Sequence, residues 1–287
     1  MTPSAARSSS PCGPPGAYAE VAWQLCVPVA DVHVVGYGNR MPNDFTLEML
    51  AVLKRCRRVF GVPPIHAPQL GLAPMESLMA LYRVGRPRCD VYDEMAQIVL
   101  AAAAREAPVA FATYGSAMVG MPVCHQLLER APRRGLSVHV TGAPSALDGI
   151  WAQLGIDPLA GAEIWDATTF MQTAAEPNTC ANLLLAQVAL LESCDVGEPV
   201  AALRERLLRS YDADHVVHFV TAPGAAAYAP RADLETLRLG ELVRPGRQRL
   251  STLLVPGSKR PSAPCARAAA SAAGSGERHD HAKRRTR

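Results

Sequence analysis

Residues 34–60 read VVGYGNRMPNDFTLEMLAVLKRCRRVF. Together with residues 31–33 they hold a β-branched run, DVHVVG (31–36), that ends at a glycine. Leu47, Leu50, Leu53 and Val59 then recur at helical spacing through FTLEMLAVLKRCRRVF (45–60). A short apolar run, a glycine turn and an amphipathic stretch in that order predict a strand feeding a helix, the unit of α/β domains.

The turn between them has two readings. Gly36 and Gly38 let the backbone approach a ligand closely or take up positive φ, and both are candidates to border a cofactor. But G-Y-G-N-R-M lacks the third glycine of the dinucleotide fingerprint, and Pro42 intervenes before the helix. No helix N-terminus then sits on the glycines, so a pyrophosphate cradle is disfavoured and a plain turn competes.

Outward from this unit the alternation continues. APVAFATYG (107–115), LSVHVTG (136–142), VVHFVTA (216–222) and STLLVPG (251–257) read as buried strands. Segments 88–105, 120–131, 145–154, 180–193 and 199–210 read as helices. No internal repeat is visible. The alternation predicts an α/β fold with a largely parallel sheet. A boundary falls near 141–144, where Ser145 with Asp148 three residues on resembles a capping box. The expected division is a disordered or extended segment 1–28, α/β lobes 29–141 and 142–258, and a disordered basic tail 259–287. In α/β sheets ligands bind at strand C-termini. That rule gathers TYGSAMVG (113–120), GAPSA (142–146) and the hydroxyls of Ser251 and Thr252 into one composite site.

Composition removes several function classes. The net charge of +3 hides an asymmetry: residues 259–287 carry eight Lys/Arg against two Asp/Glu, leaving 29 − 8 = 21 against 26 − 2 = 24 for the body, a net of −3. Such a body is no basic nucleic-acid platform. No run of about 18 apolar residues exists, and the N-terminus has no apolar signal region, so no membrane span is expected. The 8 Cys are scattered, without CxxC or zinc spacing. They read as reduced thiols of a cytoplasmic protein, and no metal site is expected. His215, His218, Asp148 and Asp157 read as packing, capping or pairing residues. No nucleophile elbow appears.

LYRVGRPRCDVYDEM (81–95) is the chemically unusual stretch, because it sets two of the chain's 7 Tyr around an arginine. Pro87 suits the first position of a helix, and Val91, Met95, Ile98, Val99 and Ala102 form its buried stripe. Arg88 and Tyr92 are i,i+4 and share a face. Read alone, they make a cation–π pair.

In VVGYGNRMPNDFTLEMLAVLKRCRRVF, in TYGSAMVGMPVCHQLLERAPRRGLSVHVTGAPSALDGIWAQLGIDP and in STLLVPG, the chain resembles the tetrapyrrole-methylase superfamily of methyltransferases that use S-adenosylmethionine (SAM). LYRVGRPRCDVYDEM, LGIDPLAGAEIWDATTF and LLLAQVALL make it most similar to the borosin-type enzymes that N-methylate peptide backbone amides. The likeness spans roughly residues 29–258. It implies two α/β lobes with SAM in the cleft between them, in a homodimer. The implied cofactor contacts are Tyr114, Ser116, Val119, Ser145, Ala146, Gln187, Ala222, Ser251 and Thr252, and the implied catalytic residues are Tyr92, Arg88 and Tyr82. Two departures stand out. Where the family commonly reads Y-G-H-P-G, this chain has Y-G-S-A-M, so Ser116 replaces an imidazole. The Tyr82–Arg88 spacing is also shorter than in fused fungal relatives.

That chemistry gives the triad a purpose. An amide nitrogen is a poor nucleophile because its lone pair is delocalised into the carbonyl. Methylation needs a base for the N–H proton and a donor for the imidate oxygen, roles that a phenol beside a fixed cation and a second phenol can fill. Fused relatives carry an apolar core peptide at their C-terminus. After Gly257 this chain has no Val, Ile or Leu, so the expected substrate is a separate precursor peptide acting in trans. The competing readings are a small-molecule or tetrapyrrole methyltransferase on the same fold, and a non-catalytic binding module.

Overall fold

The computed structural model describes Leu25 and residues 27–193, 198–224, 233–246 and 251–258. The predicted disorder of residues 1–24 and of the tail 259–287 lies outside the described residues. Gly257 and Ser258 are held: the Gly257 N–H donates to Asn182 Oδ1 at 3.2 Å, and the Ser258 N–H to the Thr179 carbonyl at 2.9 Å.

In chain order the first half contains β1 (Val32–Gly36), α1 (Leu47–Arg55), β2 (Arg58–Val62), β3 (Glu76–Ser77), α2 (Arg88–Glu106), β4 (Val109–Thr113), α3 (Pro122–Arg130) and β5 (Val138–Thr141). Its strands form one sheet in the order β3-β2-β4-β1-β5, with every pairing parallel. Both faces are covered, as parallel sheets require. Val32, Val34, Phe60, Val62, Val109 and Phe111 meet α2 and α3, while Val35, Val59, Ala110 and Ala112 meet α1. α1 starts at Thr46, whose Oγ1 accepts from the Met49 N–H at 3.1 Å. Such a cap is worth about 1 kcal/mol.

The second half contains α4 (Ala146–Leu154), β6 (Ala162–Asp166), α5 (Ala167–Gln172), β7 (Asn182–Ala186), α6 (Pro199–Leu207), β8 (Val216–Thr221), β9 (Asp233–Arg238) and β10 (Thr252–Val255). Here the order is β6-β7-β10-β8-β9, and only β6 and β7 run parallel. The prediction of parallel strands therefore holds for the first sheet and for one pair of the second. Leu183, Leu185, Val217, Phe219, Leu253 and Val255 face α5 and α6, and Leu184, Val220 and Leu254 face α4.

Several local expectations are corrected. The helical reading of 45–60 overruns, because α1 stops at Arg55 and residues 58–62 form β2. Val59 and Phe60 point to opposite faces that are both buried, and a strand buried on both sides carries no alternation to separate it from a helix. Leu47 is 62% exposed; Met49, Val52 and Leu53 form the buried stripe of α1. The helix expected at 180–193 is a strand, β7, followed by a 3-10 turn at Val188–Ser193. Its three leucines fill two faces of a central strand. Pro87 takes the N-cap position of α2, one residue earlier than expected. Cys56, Cys89, Cys124 and Cys180 are free thiols, and burial pushes Cys56 and Cys124 up to about 12. No described helix is long and apolar enough to cross a membrane.

Candidate active site

Because the first sheet is parallel, β1, β2, β4 and β5 all end on one edge, with Gly36, Val62 and Thr113 in register. The loops after β1 and β4 are locked together there. Gly38 donates to the Gly115 carbonyl at 3.2 Å, and Gly115 donates back to the Gly38 carbonyl at 2.8 Å. A Cβ at Gly36 would lie 2.5 Å from the Gly115 carbonyl oxygen and 2.9 Å from the Ala117 nitrogen. The space beside Gly36 is thus filled by protein. That favours the turn reading of G-Y-G, with Gly38 at φ +72.

The second sheet offers the matching edge. Gln187 follows β7 directly and adopts φ +59, unusual for a side chain that is not glycine. Its amide nitrogen would lie 2.7 Å from a Cβ at Gly120, so it rests on the loop after β4. Ala222, 2% exposed, follows β8. Ser251 and Thr252 were expected after a strand, yet they stand at the entrance of β10. Antiparallel pairing sends β10 away from the edge where β7 and β8 arrive, so its start meets their ends. There Thr221 and Ser251 share a buried hydroxyl–hydroxyl hydrogen bond of 3.1 Å.

Ser145 is spent locally. Its Oγ donates to Asp148 Oδ2 at 2.8 Å while its N–H reaches the same oxygen at 2.6 Å, so the capping box at the start of α4 is real. Ser145 and Ala146 sit after β5, on the shared edge. Ser116 is half-buried and Val119 is exposed, both on the loop between β4 and α3.

α2 begins at Arg88 and presents Tyr92 one turn on, half-buried above its Val91–Met95–Val99 stripe. The strap before α2 delivers Tyr82, whose ring meets Tyr92 edge-on at 6.3 Å between centroids and 82°. Burial pushes the Tyr82 phenol well above its ordinary value; the neighbouring Tyr92 adds to this, and the Arg88 guanidinium opposes it. Tyr114 is raised by burial and by Tyr92, again opposed by Arg88. Tyr82, Arg88, Tyr92 and Tyr114 are therefore one electrostatic cluster. The sequence reading gave Tyr114 to the cofactor alone. Its place directly after β4 was the available signal, but the approach of α2 to that loop is a tertiary fact. Tyr37, one loop deeper, is structural: fully buried, it donates to the Pro63 carbonyl at 2.7 Å.

His215 Nε2 lies 2.9 Å from the Pro256 carbonyl, and His218 Nδ1 lies 2.9 Å from Thr236 Oγ1. Asp157 caps the Leu159 N–H at 2.9 Å. These match their packing and capping readings.

Residues 31–235 match the family of tetrapyrrole (corrin/porphyrin) methylases. The chain belongs to that family. Its relatives include a methyltransferase/ribosomally synthesized cyclic peptide gymnopeptides precursor of Gymnopus fusipes, 28% identical over 202 residues, 66% of this chain and 48% of the relative. Another is the dendrothelin A precursor of Dendrothele bispora, 27% identical over 226 residues, 74% of this chain and 53% of the relative. A type III borosin precursor of Anomoporia bombycina is 26% identical over 219 residues, 71% of this chain and 25% of that one. The chain spans about half or less of the length of these curated relatives. Among solved structures, the uroporphyrin-III-C-methyltransferase of Thermus thermophilus superposes with TM-score 0.56 at 18% identity, covering 79% of this chain and 91% of that one. The fold is thus that of the tetrapyrrole methylases, and the sequence lies close to the borosins.

Proposed function

We propose that the protein is a SAM-dependent methyltransferase that N-methylates backbone amides of a separate precursor peptide. The observation that carries this reading is the Tyr82–Arg88–Tyr92–Tyr114 cluster beside the loop 114–120. Porphyrinogen carbon chemistry has no evident need for two phenols and a guanidinium set together, whereas an amide N–H does.

The edge shared by the two sheets suits the cofactor. Hydroxyls at Ser116, Ser251 and Thr252 and the Gln187 carboxamide provide neutral donors and acceptors for a ribose and an amino-acid moiety. Gly115 and Gly120, at φ +63 and +70, keep the loop low. Bound there, SAM supplies an electrophilic methyl group. The remaining work belongs to this chain. Tyr92, as a phenolate beside the Arg88 cation, takes the amide proton and becomes the neutral phenol. Tyr82, held neutral by burial, donates to the imidate oxygen. The N–H bond breaks, the N–CH3 bond forms as the methyl–sulfur bond of bound SAM would break to leave the neutral thioether S-adenosylhomocysteine, and Tyr92 passes the proton on to solvent. Holding the nitrogen in line with the methyl group contributes much of the remaining rate.

The enzyme is proposed to act as a cytoplasmic homodimer on a peptide supplied in trans. Two measurements test the reading. Calorimetry should show SAM binding, and its complete absence rules out an enzyme in favour of a binding module. Mass spectrometry should show stepwise methyl gains on an added apolar peptide. Methyl gains on the protein's own tail would overturn the trans substrate, and gains on a co-purified pigment with Soret absorbance would select the tetrapyrrole.

A further inference from the structure

The loop after β1 is organised by a single carboxylate. Asp44, 6% exposed, accepts through Oδ2 from the backbone N–H groups of Asn39 at 3.0 Å and Arg40 at 2.9 Å. Through Oδ1 it accepts from Nε and Nη2 of Arg40, at 3.0 and 2.7 Å. These are charge-assisted bonds, about twice as strong as neutral ones. The positive φ of Gly38 makes room, since a Cβ there would run into the Asp44 side chain. Asp44 is not needed to start α1, because Thr46 already caps that helix. Its four hydrogen bonds all point back into the turn at residues 39–40.

That turn is where the second sheet's loops come down. A Cβ at Gly224 would lie 2.5 Å from the Asn39 carbonyl oxygen and 2.9 Å from Arg40 Cγ, and Gly224 itself has φ +76. On its other side the same loop rests on α4, where a Cβ at Gly149 would meet Pro223 Cδ at 3.1 Å. Two residues before Gly224 is Ala222, an implied cofactor contact. A rigid turn of the first half is thus seated against a glycine of the second half, beside the edge both sheets share.

We propose that Asp44, Arg40 and Gly224 form a latch between the two halves. Asp44 is a positioning residue: it holds the turn at residues 39–40 as a seat for the turn at 223–224, and so sets the width of the cofactor cleft. This rests on the reading of that cleft as a SAM site. A ligand spanning loops from two separate sheets binds well only if their spacing is fixed before it arrives, since ordering them on binding subtracts from affinity. A carboxylate saturated by four donors fixes one side, and a glycine with no side chain lets the other close on it.

The test is SAM affinity by calorimetry together with melting temperature. Wild-type protein is measured first; if it binds no SAM, the functional reading has failed and not the latch. Asp44→Ala should weaken SAM binding about tenfold or more, which is about 1.4 kcal/mol. Asp44→Asn, which keeps one acceptor oxygen for the turn's N–H groups but loses the ion pair, should fall between. Gly224→Ala approaches from the opposite side and should weaken binding comparably, which keeps the test open if Asp44→Ala does not fold. The double variant should lose no more than the larger single loss, because both changes break one device. Thr46→Ala is the structural control: it removes a helix cap on the same loop and should lower the melting temperature while affinity stays within about twofold. The latch is overturned if Asp44→Ala melts lower yet binds SAM as wild type does, if Thr46→Ala weakens binding equally, or if the two losses multiply.

Discussion

β4, at the centre of the first sheet, is buried at all five residues, whereas β9, at the edge of the second, is exposed or half-buried everywhere except Glu235. The difference follows from topology. Parallel strands need crossover helices, and those helices cover both faces and leave every strand end on one edge. The second sheet is largely antiparallel, so its site residues come from strand ends at β7 and β8 and from a strand beginning at β10. Looking only after strands matches the topology of the first sheet's candidate loops and misses the position of Ser251 and Thr252 at the start of β10. The halves also divide the proposed chemistry: the acid–base cluster stands wholly on the first, and the second adds neutral hydrogen-bonding groups.

The largest effect should fall on the acid–base side of this division. Tyr92→Phe deletes one hydroxyl and keeps the ring, so SAM affinity and melting temperature should barely move. Single-turnover methylation of the cognate peptide should fall by about 10²–10⁴. Arg88→Lys should also fall sharply, because an ammonium does not reproduce a planar fork of donors. Tyr82→Phe should be milder. A Tyr92→Phe protein that melts early yet methylates at the wild-type rate would make Tyr92 structural and refute the mechanism.

Next comes the core of the first sheet. Phe111 is fully buried in β4 against α2 and α3. Phe111→Ala should cost about 3–5 kcal/mol in chemical denaturation. A cost below about 1 kcal/mol would mean that the sheet can repack.

These contrasts also explain what the sequence could reveal. β1, β4 and β5 were legible because each is a short β-branched or apolar run bounded by a glycine or proline turn, and α2 because its stripe from Val91 to Ala102 repeats over about three turns. β7 was misread because LLLAQVALL is apolar on every face, and strand and helix then look alike. β6 and β9 were missed because edge strands such as AEIWD and DLETLR carry little apolar signal. In the site, Arg88 and Tyr92 could be paired by helical spacing, and Tyr82 joined them through the family resemblance. Tyr114 could not, since only the fold brings the end of β4 beneath the start of α2. Nothing in the sequence marks Asp44, because its four hydrogen bonds exist only in the folded turn.

A smaller effect depends on pH. His33 lies in β1, 4% exposed, with its ring edge-on to His139 of β5 at 5.8 Å. Burial holds its pKa below the ordinary value; His139 and Arg55 of α1 add to this, and Glu48 of α1 opposes it. Its Nδ1 has no hydrogen-bond partner among the described residues. A depressed pKa means that the folded protein keeps the imidazole neutral while the unfolded chain protonates it near 6.5. Stability is then full above that value and declines as pH falls below it. Melting temperature should drop between about pH 7 and pH 5, and His33→Asn should flatten that slope while lowering the value at pH 7. A slope unchanged by the substitution would assign the acid sensitivity elsewhere, His218 being the next candidate because burial lowers its pKa too.

The smallest effect belongs to the edge of the second sheet. Ile164 lies at the middle of β6, opposite Leu184 of β7, and is 45% exposed; among the described residues β6 has no strand on its outer side. Ile164→Thr keeps the β-branch that suits a pleated edge and removes little buried area. Unfolding free energy should change by no more than about 0.5 kcal/mol. The same substitution at Leu184, which is fully buried against α4, should cost several times as much, because it buries a hydroxyl and leaves a gap. If Ile164→Thr instead destabilises strongly, and does so more at low protein concentration, then the exposed edge of β6 is covered in solution by a second copy. The comparison between a sealed first sheet and an open second one would then hold only for the isolated chain.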